Sequence, residues 1–163
     1  MTSAANDTLR ISVRKLANAS DRRLSGGAYI SCVLLLLLFI APGKEYLLLI
    51  VLNVFFFGTI FLIPYFRAMK TYNRIIDAIK VDAFEIEFKT VGQTSVWGLL
   101  KFRPRSFRMP ASQLTIMPDR NKDIVLSFYS AIYSFSYENR KYYIVKEFFD
   151  DFKVLEAALG ITK

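Results

Sequence analysis

The sequence predicts an α+β membrane protein, with a two-helix transmembrane hairpin followed by a small antiparallel β-barrel or bent sheet that a C-terminal helix caps. Three observations carry this. Two apolar runs stand back to back between Leu24 and Phe66, each at or near the roughly 17–25 residues that cross a bilayer core as a helix. Positive charge flanks the open ends of both runs and is missing between them. From Val81 onward the apolar period changes from that of a helix to that of a strand.

The first run extends from Leu24 through Leu34–Leu38 to Ala41, and the second from Tyr46 through Phe55-Phe56-Phe57 to Phe66. Pro42-Gly43-Lys44-Glu45 joins them, a segment short enough only to reverse the chain. Phe39-Ile40-Ala41 places a bulky Phe where signal cleavage requires a small residue, so the first run reads as a retained span. Tyr29, Tyr46 and Tyr65 fall near the ends of the runs, the level that amphipathic rings favour. No Asp, Glu, Lys or Arg lies inside either span, which argues against ion or proton transport by this chain alone. Asn53 is the one strongly polar residue deep in the second run and is expected to hydrogen-bond between helices. Gly27 and Ser31, with Ala28 and Cys32, form two small-xxx-small pairs, the pattern of close helix contact.

The formal net charge of +8 is unevenly spread. Residues 1–25 carry Arg10, Arg14, Lys15, Arg22 and Arg23 against Asp7 and Asp21, a balance of +3. Arg67, Lys70, Arg74 and Lys80 against Asp77 give residues 67–80 another +3, and Lys44 and Glu45 cancel in the turn. The positive-inside rule then puts both termini in the cytoplasm, with the inner membrane as the expected location. Topology accounts for the basic excess, and nucleic acid is not an expected partner, because residues 81–163 have a balance of only +2.

Four segments follow: a basic amphipathic stretch 1–23, the hairpin 24–66, a juxtamembrane helix extension 67–80, and a cytoplasmic β-domain 81–163. Met1–Asp7 is polar and expected to fray. Leu9, Val13, Leu16 and Ala17 recur at helical spacing, with Asp7 as the expected cap. That short helix has two readings, lying in the headgroup layer or packing on the cytoplasmic domain. Met69, Tyr72, Ile75, Ile76 and Ile79 recur at three and four, which extends the second helix to Lys80.

In the β-domain, Phe84, Ile86 and Phe88 alternate with charged residues as a half-buried strand. Val91-Gly92-Gln93-Thr94 reads as a turn into a strand over 95–103. Further strands are expected over 105–109, 113–117, 123–129, 131–137 and 140–146, with turns at 119–122 and Glu138-Asn139. Phe148, Phe152, Leu155 and Leu159 make one apolar stripe of a closing helix over 147–159 that Gly160 stops. An open sheet of this size leaves edges exposed, so partial closure is expected.

Composition removes much chemistry. With no His there is no Ser-His-Asp relay, Cys-His pair or His-ligated metal. The single Cys32 lies in an apolar run and reads as a small hydrophobe. No phosphate-binding glycine loop or metal-ligand spacing occurs, so no cofactor is expected. Asp150, Asp151 and Glu147 cluster at the start of the last helix, where the macrodipole is reason enough for them.

A membrane hairpin leading into a meander of short strands and a C-terminal helix resembles the bacterial membrane-anchored pleckstrin-homology-like (PH-like) proteins, including the YcxB-like family. The residues carrying the likeness are Ala83-Phe84-Glu85-Ile86-Glu87-Phe88, Trp97-Gly98-Leu99-Leu100, the step from Phe107 through Pro110 to Ile116, and Arg140–Lys146 running into the last helix. The resemblance implies a PH-like domain near the inner leaflet, and fold analogy alone assigns no activity.

Lys101, Arg103, Arg105 and Arg108 form the densest basic run of the folded domain. In lipid-binding PH domains basic residues near the first strand connections hold the headgroup, which makes these four a candidate contact for anionic lipid or a partner. The bland alternative is a charged strand edge. Gly27, Ser31 and Asn53 are the candidate intramembrane contacts. The expected function is non-enzymatic: an accessory or scaffolding subunit whose soluble domain docks protein partners in a membrane complex or homo-oligomer, with lipids as its other contact. An autonomous anionic-lipid sensor is the first alternative. A membrane-surface enzyme is the second, and it lacks any visible constellation of catalytic groups.

Overall fold

The computed structural model describes residues 2–40, 46–94, 101–119, 126, 129 and 131–161. The turn expected at 42–45, Trp97, most of the strand expected over 123–129 and most of the turn at 119–122 lie outside these residues. Strand β1 (Thr2–Ala4) opens the chain and leads into helix α1 (Asp7–Ile40), 34 residues long. Helix α2 (Tyr46–Phe57), a π-helical turn at Gly58–Leu62 and helix α3 (Ile63–Tyr72) then run on as one 27-residue helix. Its mean hydropathy is 2.6, and among the described residues it is the one helix long and apolar enough to cross a membrane. At 1.5 Å per residue it measures about 40 Å.

Pro64 accounts for the π-helical turn. A helical proline lacks the N–H that would bond back to residue 60, and its ring crowds that carbonyl. Widening the preceding turn relieves the clash. The Thr59 hydroxyl adds to the loosening by donating back to the Phe55 carbonyl at 2.9 Å.

Helix α1 packs antiparallel along this long helix. Its contacts step from Tyr72 at Ser20 and Tyr65 at Asp21 to Phe61 at Gly27 and Asn53 at Ser31. The segment expected as a separate helix over 8–19 is therefore continuous with the first apolar run. Leu9, Val13 and Ala17 are buried in one cluster with Met69, Tyr72 and Ile75, so the amphipathic stripe packs on protein rather than lying in a headgroup layer. Asp7 is the first residue of the helix and not its cap.

The helix expected to reach Lys80 ends at Tyr72, and Ile76–Val81 is strand β2. Ile75, Ile76 and Ile79 fit both periods, and β-branched residues favour the pleated alternative. The N-terminal segment is not frayed. Thr2, Ser3 and Ala4 pair antiparallel with Lys80, Ile79 and Ala78, and the Ala5 N–H donates to the Asp77 carbonyl at 2.7 Å. An edge that β2 would otherwise leave open is closed by the chain's own start.

Strand β3 (Glu85–Thr90) follows, then β4 (Gln93–Thr94), β5 (Lys101–Phe102), β6 (Ser106–Pro110), β7 (Met117–Pro118), β8 (Ile132–Tyr137), β9 (Arg140–Val145) and helix α4 (Phe152–Ala158). They form an antiparallel sheet β1-β2-β3-β6, a second one β7-β8-β9, and a pair β4-β5 that continues the β3–β6 hairpin. Among the described residues these sheets do not close into a barrel, so the barrel form of the prediction is replaced by open sheets meeting at a corner. There the Tyr143 N–H donates to the Arg74 carbonyl at 3.0 Å, beside a parallel bridge between Ile75 and Tyr143. Where a strand was expected over 113–117 the chain makes a 3-10 turn at Ala111–Gln113 and only a two-residue strand.

The turn between β8 and β9 falls on Glu138 and Asn139, whose φ values of 49° and 59° give the doubly left-handed geometry that tight hairpins need. The last helix starts at Phe152 and not at Glu147, because Lys146–Phe148 forms a 3-10 turn. Gly160, at φ 63°, ends it as expected.

Two buried clusters result. One, between the sheets and α4, gathers Ile79, Ile86, Phe88, Phe135, Ile144 and Leu155. The other joins helices to strands, with Leu9, Val13, Met69 and Tyr72 against Ile132, Tyr143, Val145 and Phe148.

Candidate functional site

Three places gather residues with chemistry to offer: the junction between helices and sheets, the basic run 101–108, and the helix pair. At the junction, Arg10 reaches from α1 to Asp77 on β2 with two hydrogen bonds, Nε to Oδ1 at 3.1 Å and Nη2 to Oδ2 at 2.8 Å. The Asp77 side chain is 5% exposed and that of Arg10 60%, so the pair sits at the rim with its carboxylate inside. The bond to Asp77 and its charge hold the Arg10 guanidinium further above its usual pKa. A planar guanidinium gripping a carboxylate at two points fixes direction as well as distance. About three turns further along α1, Asp21 is buried and accepts the Tyr65 hydroxyl at 2.8 Å. Tyr65 therefore turns its hydroxyl toward α1.

Of the basic run, Arg108 is drawn away from Arg103 and Arg105. Arg108 lies mid-strand, opposite Glu87, with Nη2 to Oε2 at 3.3 Å. Arg103 and Arg105 are exposed at the end of β6, where the Thr90 N–H donates to the Arg105 carbonyl at 2.9 Å and the Arg105 N–H to the Thr90 hydroxyl at 2.9 Å. That end of the hairpin meets the junction of helices and sheets, where the Val91 N–H donates to the Ile75 carbonyl at 2.9 Å and Val91 shares the cluster of Met69 and Tyr72. The Lys101 side chain lies outside the described residues. Strand alternation divides the run: Phe107 stacks inward on Tyr137 at 4.7 Å between centroids, while Ser106 and Arg108 face Glu87.

Ser106 and Arg108 act on Glu87 together. The Ser106 hydroxyl bond, at 2.8 Å, is the larger cause of a Glu87 pKa held below the usual value, and the Arg108 charge adds to it. A depressed carboxylate stabilises the fold above its unfolded pKa and loses that contribution as pH falls through the folded one. Ser106→Ala is therefore expected to raise the Glu87 pKa and to move the acid unfolding midpoint to higher pH. Carboxyl carbon NMR titration of Glu87 checks the first, and an unshifted Glu87 curve would refute the assignment.

In the helix pair, the three residues singled out by sequence all face the partner helix. A Cβ on Gly27 would fall 2.5 Å from ring atoms of Phe61, so only glycine permits this approach. Ser31 hydrogen-bonds to Asn53 through its hydroxyl, and Asn53 Nδ2 donates to the Ser31 carbonyl at 3.4 Å. Beside them an open cavity of about 400 Å³ runs between the helices, with Ile30 and Leu34 on one wall and Leu49, Leu52 and Phe56 on the other. Among the described residues outside the helices Phe84 is the most exposed large apolar one, 85% exposed at the turn between β2 and β3.

Sequence reasoning missed Asp21 and Asp77, which read as ordinary flanking charges. The one available signal was helical spacing: Leu9, Val13, Ala17 and Asp21 fall on one face. Among the described residues no group of three or more His, Cys, Asp or Glu side chains is placed to hold a metal ion. No protein-family model, no curated protein and no solved structure matches this chain.

Proposed function

We propose that this chain is a membrane-anchored, non-catalytic accessory or scaffolding subunit. Helix α1 and the Tyr46–Tyr72 helix form its transmembrane hairpin, with both termini on the cytoplasmic side, and the β-domain docks protein partners at the inner leaflet. One observation carries the reading. The polar ends of both helices share a single buried cluster with β8, β9 and Phe148, and the Arg10–Asp77 pair clamps its rim. A head joined in this way does not swing on a linker, so it presents its outer surface at a fixed height and angle above the membrane. Such presentation serves docking, because partner binding then costs little ordering entropy. Two antiparallel sheets followed by a terminal helix support the PH-like, YcxB-like reading of the head.

Phe84 is the residue we assign as docking anchor, since exposed aromatics supply much of the affinity of interfaces. The test is purification of the full-length chain at native expression level in mild detergent, with co-purifying proteins identified. Stoichiometric partners are expected, and Phe84→Ala is expected to lower their recovery severalfold without moving the thermal midpoint. A lone monomer, with and without Phe84, would overturn the docking reading.

A further inference from the structure

The helix pair combines two features that belong to one kind of ligand. The cavity between α1 and α2 is walled by aliphatic and aromatic side chains, and its polar members, Ser31 and Asn53, are bonded to one another. That wall suits hydrocarbon. At the end marked by Gly27 and Phe61, α1 continues one turn to Arg23, which lies four residues before Gly27 and therefore on the same face. Arg23 is exposed and makes no ion pair among the described residues. Arg22 on α1 and Arg67 and Lys70 on α3 are also exposed at this level and likewise unpaired among the described residues. Asp21, the one carboxylate of these helix segments at that height, is buried and turned toward Tyr65. Among the described residues no carboxylate pairs with these four cations, so the end of the helix pair beyond Gly27, one turn from the cavity lining, is positive.

We propose that this cavity is a binding site for one anionic phospholipid, with an acyl chain along Ile30, Leu34, Leu49, Leu52 and Phe56 and the phosphate on Arg23. Arg22, Arg67 and Lys70 supply the surrounding positive field. A zwitterionic lipid offers the same acyl chain but no net charge, so the site discriminates by headgroup. A neutral partner helix would fill the wall and leave Arg23 without a counter-ion. The proposal rests on the membrane-anchored reading above and adds a specific ligand to it. The site differs from the basic run 101–108, which Glu87 and strand alternation divide.

The experiment uses the full-length chain in mixed micelles holding equal phosphatidylglycerol and phosphatidylcholine of identical acyl chains, with retained lipid counted by native mass spectrometry. One phosphatidylglycerol per chain is expected, in at least tenfold preference. Arg23→Gln is expected to abolish the preference and Leu34→Trp to lower retention of both lipids. Arg14→Gln, away from the groove face, is expected to change neither. Equal retention of the two lipids, or a loss shared equally by Arg14→Gln and Arg23→Gln, would overturn the site and leave only diffuse attraction. Extraction of membranes with alkaline carbonate separates this failure from the larger one: a chain that stays in the pellet keeps the anchored reading, and a released chain overturns both.

Discussion

Replacing Phe88 with Ala is expected to destabilise the β-domain by about 3–5 kcal/mol, the range for emptying a buried aromatic site. Phe88 is fully buried, and its ring lies 4.6 Å from that of Phe135 and 5.6 Å from that of Phe107. It sits at the centre of β3, paired with Ile79 on one side and Phe107 on the other, so both neighbouring strands lose a contact at once. Collapse into the gap is restricted because Phe107 is already stacked on Tyr137 and tilted against Tyr142. With total stabilities of roughly 5–15 kcal/mol, such a loss leaves the domain marginal or unfolded at room temperature. Guanidinium unfolding of the full-length chain in mild detergent, followed by near-ultraviolet circular dichroism, measures it. Phe84→Ala at the turn between β2 and β3, a site 85% exposed, is the control and is expected to be silent. A Phe88→Ala chain as stable as that control would mean that the two sheets do not share the core described.

The same alternation that buries Phe88 made β3 legible. Ile86 and Phe88 point inward and Glu85, Glu87 and Lys89 outward, a period that no helix accommodates. The Glu138-Asn139 turn was legible for a similar reason, since asparagine tolerates the left-handed conformation its position demands. Strand β2 was not. Its Ile76 and Ile79, with Ile75 just before it, satisfy a helical stripe as well as a strand, and only the pairing with β1 and β3 decides between them. Strand β1 carries no pattern, because Thr2, Ser3 and Ala4 owe their order to the edge they cover.

The candidate site divides along the same line. Gly27, Ser31 and Asn53 stood out because a polar or minimal residue in an apolar run is conspicuous wherever it lies. The grouping of Lys101, Arg103, Arg105 and Arg108 was a statement about neighbours in sequence. Pairing in space removed Arg108 to Glu87, a partner 21 positions distant that depends on the β3–β6 register. Asp77 was hidden for the same reason: its partner Arg10 lies 67 positions away on another element.

Leu9→Asp should have an effect of similar size at the other cluster, and it tests the rigid head directly. Leu9 is fully buried where α1 meets α3 and the ends of β8 and β9. A carboxylate there would stand in an apolar cluster, and burying an unpaired charge costs several kcal/mol. Because Arg10 follows immediately, displacing this turn also breaks the two bonds to Asp77, and β1 loses its tether to β2. The expected result is release of the chain up to about Ala17, with the apolar part of the helix pair and the sheet β7-β8-β9 intact. Hydrogen exchange on the full-length protein should show protection lost at residues 2–17 and along the opened edge of β2, while β9 keeps its own. Trypsin should then cut at Arg10, Arg14 and Lys15 before it cuts elsewhere. If partner docking depends on a fixed head, partner recovery falls in this variant although Phe84 is untouched. Protection unchanged at residues 2–17 would show that α1 is not held by this cluster, and the rigid presentation on which the docking proposal rests would fall with it.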